Sequence, residues 1–240
     1  MDQYLVFQPV TVDELNKIDD RRRSKISKSA RLTHCADIET LIVKVSTAEQ
    51  EKVIACFAVW LLLKCTPRMG LEPDLDPLGS TTFTETSTSN SKEANGSWNP
   101  VTLRPRRLDW PTLVLEVGLS ESLPRLRNDA RWWLSNSGGC VNVVLILHIN
   151  LRTKIISIEK WELPATGGLV TRLNQQPPAQ IPTQMQAITI DRNNETPLTL
   201  HFHKIFLRQP AQQAEPPEHD LVFTAEDLQG WADAIWPVRL

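Results

Sequence analysis

Two runs of this chain leave little freedom in how it folds. "PTLVLEVGL" (111–119) and "VNVVLILHI" (141–149) are apolar at nearly every position. A half-exposed strand alternates apolar and polar side chains; a run without alternation belongs to a sheet covered on both faces. The stretch between them, "SESLPRLRNDARWWLSNSGG", has helical spacing. Leu126, Ala130, Trp133 and Leu134 make an apolar stripe, and Arg127 and Arg131 sit one turn apart. Ser122 is the expected N-cap, Pro124 falls in the tolerant first turn, and Gly138-Gly139 ends the helix.

The first of these strands carries one discordant residue, Glu116. A carboxylate buried in a sheet costs several kcal/mol unless it is paired, hydrogen-bonded or bound to a metal. From the strand alone, three explanations stand: a water-facing side chain, an ion pair with a downstream arginine, or a metal or catalytic carboxylate.

The remaining elements surround this core. "IETLIVKV" reads as a short strand. "TAEQ" is a capping box, with Thr47 the N-cap and Gln50 its partner, and Glu49 and Glu51 lie at the positive end of the helix dipole. The helix that follows is apolar on nearly every side, which predicts all-round burial, and "TPRMG" stops it. "GSTTFTET" and "KEANGSW" read as short strands and "NPVTLRPRRLD" as a loop. "KIISIEKWEL" alternates, which predicts a more exposed strand beside the central one. "AITIDR" and "LTLHFHKIF" also read as strands. "TAEDLQGWADAIW" reads as a helix capped by Thr224 and Asp227, after proline- and glutamine-rich connectors. The order helix, strand, strand, strand, helix, strand predicts an α/β fold around one mixed central sheet. Residues 1–36 read as an N-terminal arm, 37–163 as the core, and 164–240 as an extension of strands and a terminal helix packed on it.

Bulk properties bound the function. Two hundred and forty residues suffice for one large domain, and 17 prolines against 9 glycines point to long irregular connections. A net charge of −2 excludes a global electrostatic footprint for nucleic acid. The mixed-sign run "DDRRRSKISKSARL" reads either as a solvated arm or as a local basic patch. Cys35, Cys56, Cys65 and Cys140 lack paired spacing, as expected for free thiols. "MDQYLVFQPV" lacks the charge-then-apolar pattern of a secretory signal, and the longest apolar run, Val53 to Leu63, is too short for a bilayer. A soluble intracellular protein of cytoplasm or nucleus is expected, without membrane contact.

A lone carboxylate on the third strand and a basic helix after it resemble the restriction-endonuclease-like, PD-(D/E)XK nuclease superfamily. Within it, the chain resembles a family of uncharacterised fungal proteins. The resemblance is carried by "KEANGSWNP", "WPTLVLEVGLSESLPRLRNDARWWL" and "VNVVLILHI…ISIEKWE", and the good match covers about residues 70–165. It implies a restriction-endonuclease-like core and metal-dependent phosphodiester hydrolysis. Two acids there hold Mg²⁺ or Mn²⁺, which activates a water, with a lysine nearby.

Glu116 matches the second acid. The first falls at Asn95, which offers a carbonyl oxygen without charge; Glu93, two residues earlier, would substitute, and Asp74 in "LEPDLDP" is held in reserve. The expected lysine position is Gly118, with Lys92, Arg125 or Arg127 as relocated cations. Glu51 would be an outer ligand or simply satisfy its helix N-terminus. Arg104, Arg106, Arg107, Arg125 and Arg127 are the candidate nucleic-acid contacts. Two of three positions depart from the pattern, so the resemblance leaves two functions open. One is a nuclease using relocated groups, with a homodimer suited to duplex cleavage. The other is an inactive scaffold binding nucleic acid or a protein. His201 and His203 read as a wet strand face or half a metal site, and Cys140 as core or nucleophile. No GxSxG, Walker or Rossmann motif appears.

Overall fold

Residues 3–25, 30–71, 74–79, 81–119, 123–164, 180–191 and 195–236 are described by the structure, a computed structural model. The N-terminal residues are not a peripheral arm. They form β1 (Tyr4–Phe7), α1 (Val12–Lys25), β2 (Ala30–Cys35) and, beyond a 3₁₀ turn, β3 (Thr40–Val45). Thr11 and Glu14 cap α1 reciprocally, at 3.3 and 2.8 Å. β3 pairs antiparallel with both β1 and β2. Leu32, Leu41, Val10 and Leu15 close a small core under α1. The basic run is partly internal, because Arg22 and Arg31 turn inward to carboxylates.

The Thr47–Gln50 capping box forms as read, at 3.0 and 3.3 Å, and opens α2 (Ala48–Met69). The helix ends before Gly70, whose positive φ of +66° suits a residue without Cβ. All-round burial does not hold. Val53, Phe57 and Leu61 are buried, whereas Val59, Leu62 and Leu63 face outward, since a helix lying on a sheet covers only one side.

β4 (Leu75–Pro77), β5 (Thr82–Thr84), β6 (Ser91–Glu93) and β7 (Gly96–Pro100) follow. "KEANGSW", read as one strand, is two strands in different sheets. β6 pairs with β2 and β5, whereas β7, after a bend at Asn95, pairs with β4. The first sheet is thus β1-β3-β2-β6-β5.

The two apolar runs form β8 (Leu113–Leu119) and β9 (Val143–Asn150), parallel, with α3 (Leu123–Asn136) as the crossover. β10 (Ile155–Glu162) and β11 (Thr183–Ile190) complete a second, mixed sheet of order β11-β10-β9-β8-β7-β4, in which only β8–β9 is parallel. The apolar stripe of α3 is buried as expected, and Gly138 and Gly139 end the helix at positive φ. Ser122, the expected N-cap, lies outside the described residues. β10 is more buried than its alternation suggests, because β11 covers its outer edge and Glu159, Lys160 and Glu162 are internally paired.

At the C-terminal end, β12 (Leu198–Leu200) pairs with β13 (Leu221–Phe223). The strand expected through "HFHKIF" stops at Leu200, where α4 (Phe202–Phe206) begins and inserts Phe202, Ile205 and Phe206 into the core. Thr224 and Asp227 form the expected capping box of α5 (Ala225–Ile235). α5 and β13 pack on α2 through Trp231, Phe223, Phe57 and Trp60. One face of the second sheet is therefore covered by α2 and the C-terminal elements, and the other by α3. No helix among the described residues is long and apolar enough to cross a membrane.

Candidate functional site: a closed carboxylate–lysine cluster

Side chains of β8 alternate between faces. Leu113, Leu115 and Val117 enter the core under α2, and Val114 shares the α3-side core with Trp133. Glu116 therefore projects toward α3, and it is only 3 % exposed. The Trp133 indole N–H donates to Glu116 Oε1 at 2.7 Å. Lys92 Nζ, from the other sheet, lies 4.0 Å from the same oxygen and donates to Asp129 Oδ1 on α3 at 2.5 Å.

Charge and burial compete here. Burial pushes the Glu116 carboxyl above its ordinary pKa; Lys92 and Lys44 draw it back, and Asp129 adds to the rise. Burial works against the Lys92 ammonium, yet Asp129 and Glu116 outweigh it and hold its pKa above the ordinary lysine value. A lysine shared between two carboxylates is a closed arrangement, in which each acid is compensated by a group of the protein itself.

Asn95 stands beside it. The β7–β8 ladder runs from Trp98↔Leu113 to Gly96↔Leu115, and Asn95, at the bend just before β7, meets β8 at Val117, the residue after Glu116. Asn95 Oδ1 accepts from the Val117 N–H at 2.9 Å and from Lys44 Nζ at 3.2 Å. Lys44 also donates to the Val117 carbonyl at 2.8 Å, and the Gln50 amide reaches that carbonyl at 3.3 Å. Asn95 Nδ2 is buried with no hydrogen-bond partner among the described residues, a loss of about 1–3 kcal/mol for a neutral polar group. Two donors converge on position 95, so its surroundings suit a carboxylate better than an amide.

The other candidates do not converge on Glu116. Glu93 is not a substitute for Asn95: neighbouring residues of β6 project to opposite faces, and Glu93 takes both its oxygens to Arg22, at 2.7 and 2.9 Å, with the Leu32 N–H and Thr82 hydroxyl adding bonds. Its burial raises its pKa, opposed chiefly by Arg22. Asp74 adjoins the Pro100 end of β7, remote from Asn95, and holds Thr102 and Arg208. Glu51 is bonded to Arg31, whose Nε donates to the Ala94 carbonyl.

Of the arginines, Arg104 ties loop 101–110 to the Trp110 and Cys140 carbonyls, whereas Arg106 and Arg107 are exposed beside it. Arg125 lies over the Tyr4 ring at 3.6 Å, and Arg127 forks onto Glu159. His201 pairs with Asp220 just before α4 and stacks near His203, so no strand face carries them. Cys140 is partly buried at the end of the Gly-Gly turn.

Among the described residues no three His, Cys, Asp or Glu side chains come together as a metal site. Mg²⁺ needs near-octahedral oxygen donors. Here Glu116 is turned to an N–H and an ammonium, and Asn95 Oδ1 to two donors, so the residues as placed do not fit a divalent ion. Four contributors escape sequence inspection: Lys44, Gln50, Asp129 and Trp133. Lys44 had a signal, since it is the lone charge of "LIVKV" just as Glu116 is the lone charge of "LVLEVGL". No family model and no curated protein matches this chain.

Proposed function

We propose that this chain is a PD-(D/E)XK-like protein in which the nuclease site is closed, so that it serves as a nucleic-acid-binding scaffold. Two features support the lineage. After α2, the elements β7, β8, α3 and β9 follow the expected order, with neighbours antiparallel and parallel, whereas the strand expected at "GSTTFTET" is β5 of the other sheet and β4 takes the place beside β7. Position 95, just before β7, touches β8 at Val117, next to Glu116. The observation that carries loss of catalysis is Lys92, an ammonium beside Glu116 and bonded to Asp129, where a hydrolytic site would hold a cation from solution. Arg106 and Arg107 on the exposed loop supply contacts for phosphate.

A second reading, metal-dependent phosphodiester hydrolysis with Mg²⁺ or Mn²⁺, is what the resemblance implies, and it requires the Glu116–Lys92–Asp129 cluster to open, since the residues as placed do not fit the ion. Lys92 at 4.0 Å from Glu116 is a lysine within reach of the acid, in place of the one missing at Gly118.

Cleavage of plasmid and single-stranded DNA in Mg²⁺ and Mn²⁺, comparing the wild type with Glu116→Ala and Asn95→Asp, separates the two. A closed scaffold leaves DNA intact in the wild type and binds it with an affinity that falls steeply with salt. Cleavage by the wild type that Glu116→Ala abolishes replaces this reading with the working enzyme. Cleavage by Asn95→Asp alone identifies the lost charge at position 95 as what disarmed the site.

A further inference from the structure

Away from Glu116, at the far end of β7, loop 101–110 folds back over β4 and leaves an open cavity of about 420 Å³. Asn95 immediately precedes β7 and Asn99 lies near its far end, and four residues of extended chain span roughly 13 Å. Arg104, Arg106 and Arg107 line the cavity together with Asn99, Thr81 and Asp76. Three guanidinium groups within four residues share it with a single carboxylate. Arg106 and Arg107 make no ion pair among the described residues, and Arg106 uses only its backbone N–H, toward Asp109. Arg104 is half-buried, yet its side chain bonds only two carbonyl oxygens, those of Trp110 and Cys140. Burial accordingly draws its pKa below the ordinary arginine value. A half-buried guanidinium bonded only to neutral carbonyls, beside two exposed ones and the single carboxylate Asp76, leaves positive charge in excess, which a bound anion offsets.

The geometry points to this cavity as a binding site for a phosphorylated nucleotide, its phosphate held by Arg104, Arg106 and Arg107. Volume argues for more than a bare phosphate, since small-molecule sites begin at about 300 Å³. Asn99 donates to the Arg104 carbonyl and keeps its amide oxygen as an acceptor. Asp76 adds an acceptor at the rim. Acceptors beside a cationic wall suit the hydroxyl or amino groups of a nucleoside whose phosphate lies on the arginines. A free nucleotide and the phosphorylated end of a strand share this chemistry.

The site does not depend on whether Glu116 is catalytic. Calorimetric titration of the full chain with AMP, adenosine and inorganic phosphate tests it. The variants are Arg106→Ala/Arg107→Ala, whose exposed positions leave the fold intact, and Arg152→Ala/Lys154→Ala, a charge-matched control on the exposed β9–β10 turn. Saturable 1:1 binding of AMP is expected, with adenosine much weaker. The double variant should lose roughly tenfold or more in affinity, the scale of charge-assisted bonds, while the control keeps it. Displacement of AMP by a 5′-phosphorylated oligonucleotide but not by its 5′-hydroxyl form assigns the site to strand ends; no displacement by either assigns it to free nucleotides. Absence of saturable AMP binding, adenosine binding as tight as AMP, or a double variant that binds as well as wild type overturns the proposal. Salt-dependent DNA binding could survive each of these results, so the scaffold reading is judged separately.

Discussion

The two ends of β7 handle charge in opposite ways. Near Asn95, Lys44, Lys92 and Glu116 are buried and Asp129 is half-buried beside them, and each ammonium lies within reach of protein oxygens. Near Asn99, Arg104, Arg106 and Arg107 gather around an open cavity with one carboxylate among them. Burial explains the contrast: a charge removed from water must be met by another group of the protein, whereas a charge at the surface can remain available. Closed clusters therefore serve the fold, and open ones can serve a ligand.

The largest way to break this comparison is Lys92→Met. If the buried cluster is structural, removing its ammonium leaves Glu116 beside Asp129 with only the Trp133 N–H and Lys44 to offset its charge, and denaturant unfolding should show a loss of about 3–5 kcal/mol. A near-neutral result would mean that Glu116 reaches water and that the cluster is open after all.

Glu116→Gln sharpens the comparison through pH. The carboxyl has a folded-state pKa raised above its unfolded value, chiefly by burial. The folded protein then holds this proton more tightly, so the group's contribution to stability is greatest at and below pH about 4.5 and declines as pH rises toward the folded pKa. Glutamine keeps an acceptor for Trp133 but cannot titrate. Thermal unfolding across that window should show the wild type losing stability relative to the variant as pH increases; parallel curves would contradict the raised pKa.

At the arginine end the expected effect on stability is smallest. Arg106→Ala and Arg107→Ala should each shift unfolding by no more than about 0.5 kcal/mol, because neither guanidinium is tied into the fold. A larger loss would place these side chains among the structural charges and remove the contrast.

Local signals were readable in the sequence. The capping boxes at Thr47 and Thr224, the stripe on α3 and the Gly-Gly stop follow from residues close in the chain, and all form as read. Glu116 was visible as an anomaly in an apolar strand. Its partners were not, because they depend on distant pairings. Lys92 reaches it only because β6 pairs with β2, and the bend at Asn95 that separates Lys92 from β7 leaves no mark beyond an Asn-Gly step. The same bend explains why Glu93, two residues from Asn95, serves Arg22 instead. Alternation overstates the exposure of β10 for a related reason: it reports a strand's own pattern, not the strand that covers its edge.

The pairing of β2 with β6, Thr33 opposite Lys92, also bears on how the protein reaches this state. It closes a loop that contains the whole of α2 and β4, and the entropy of such a closure must be met before its contacts reward it. β2 can zip onto β3 early, through a short turn, but its other edge waits for β6 to arrive. Until then the carboxylate of Glu116 lacks the Lys92 ammonium that offsets part of the cost of burying it. Completion of the first sheet is thus the step that brings this compensation to the second, so the two sheets depend on each other through one buried side chain.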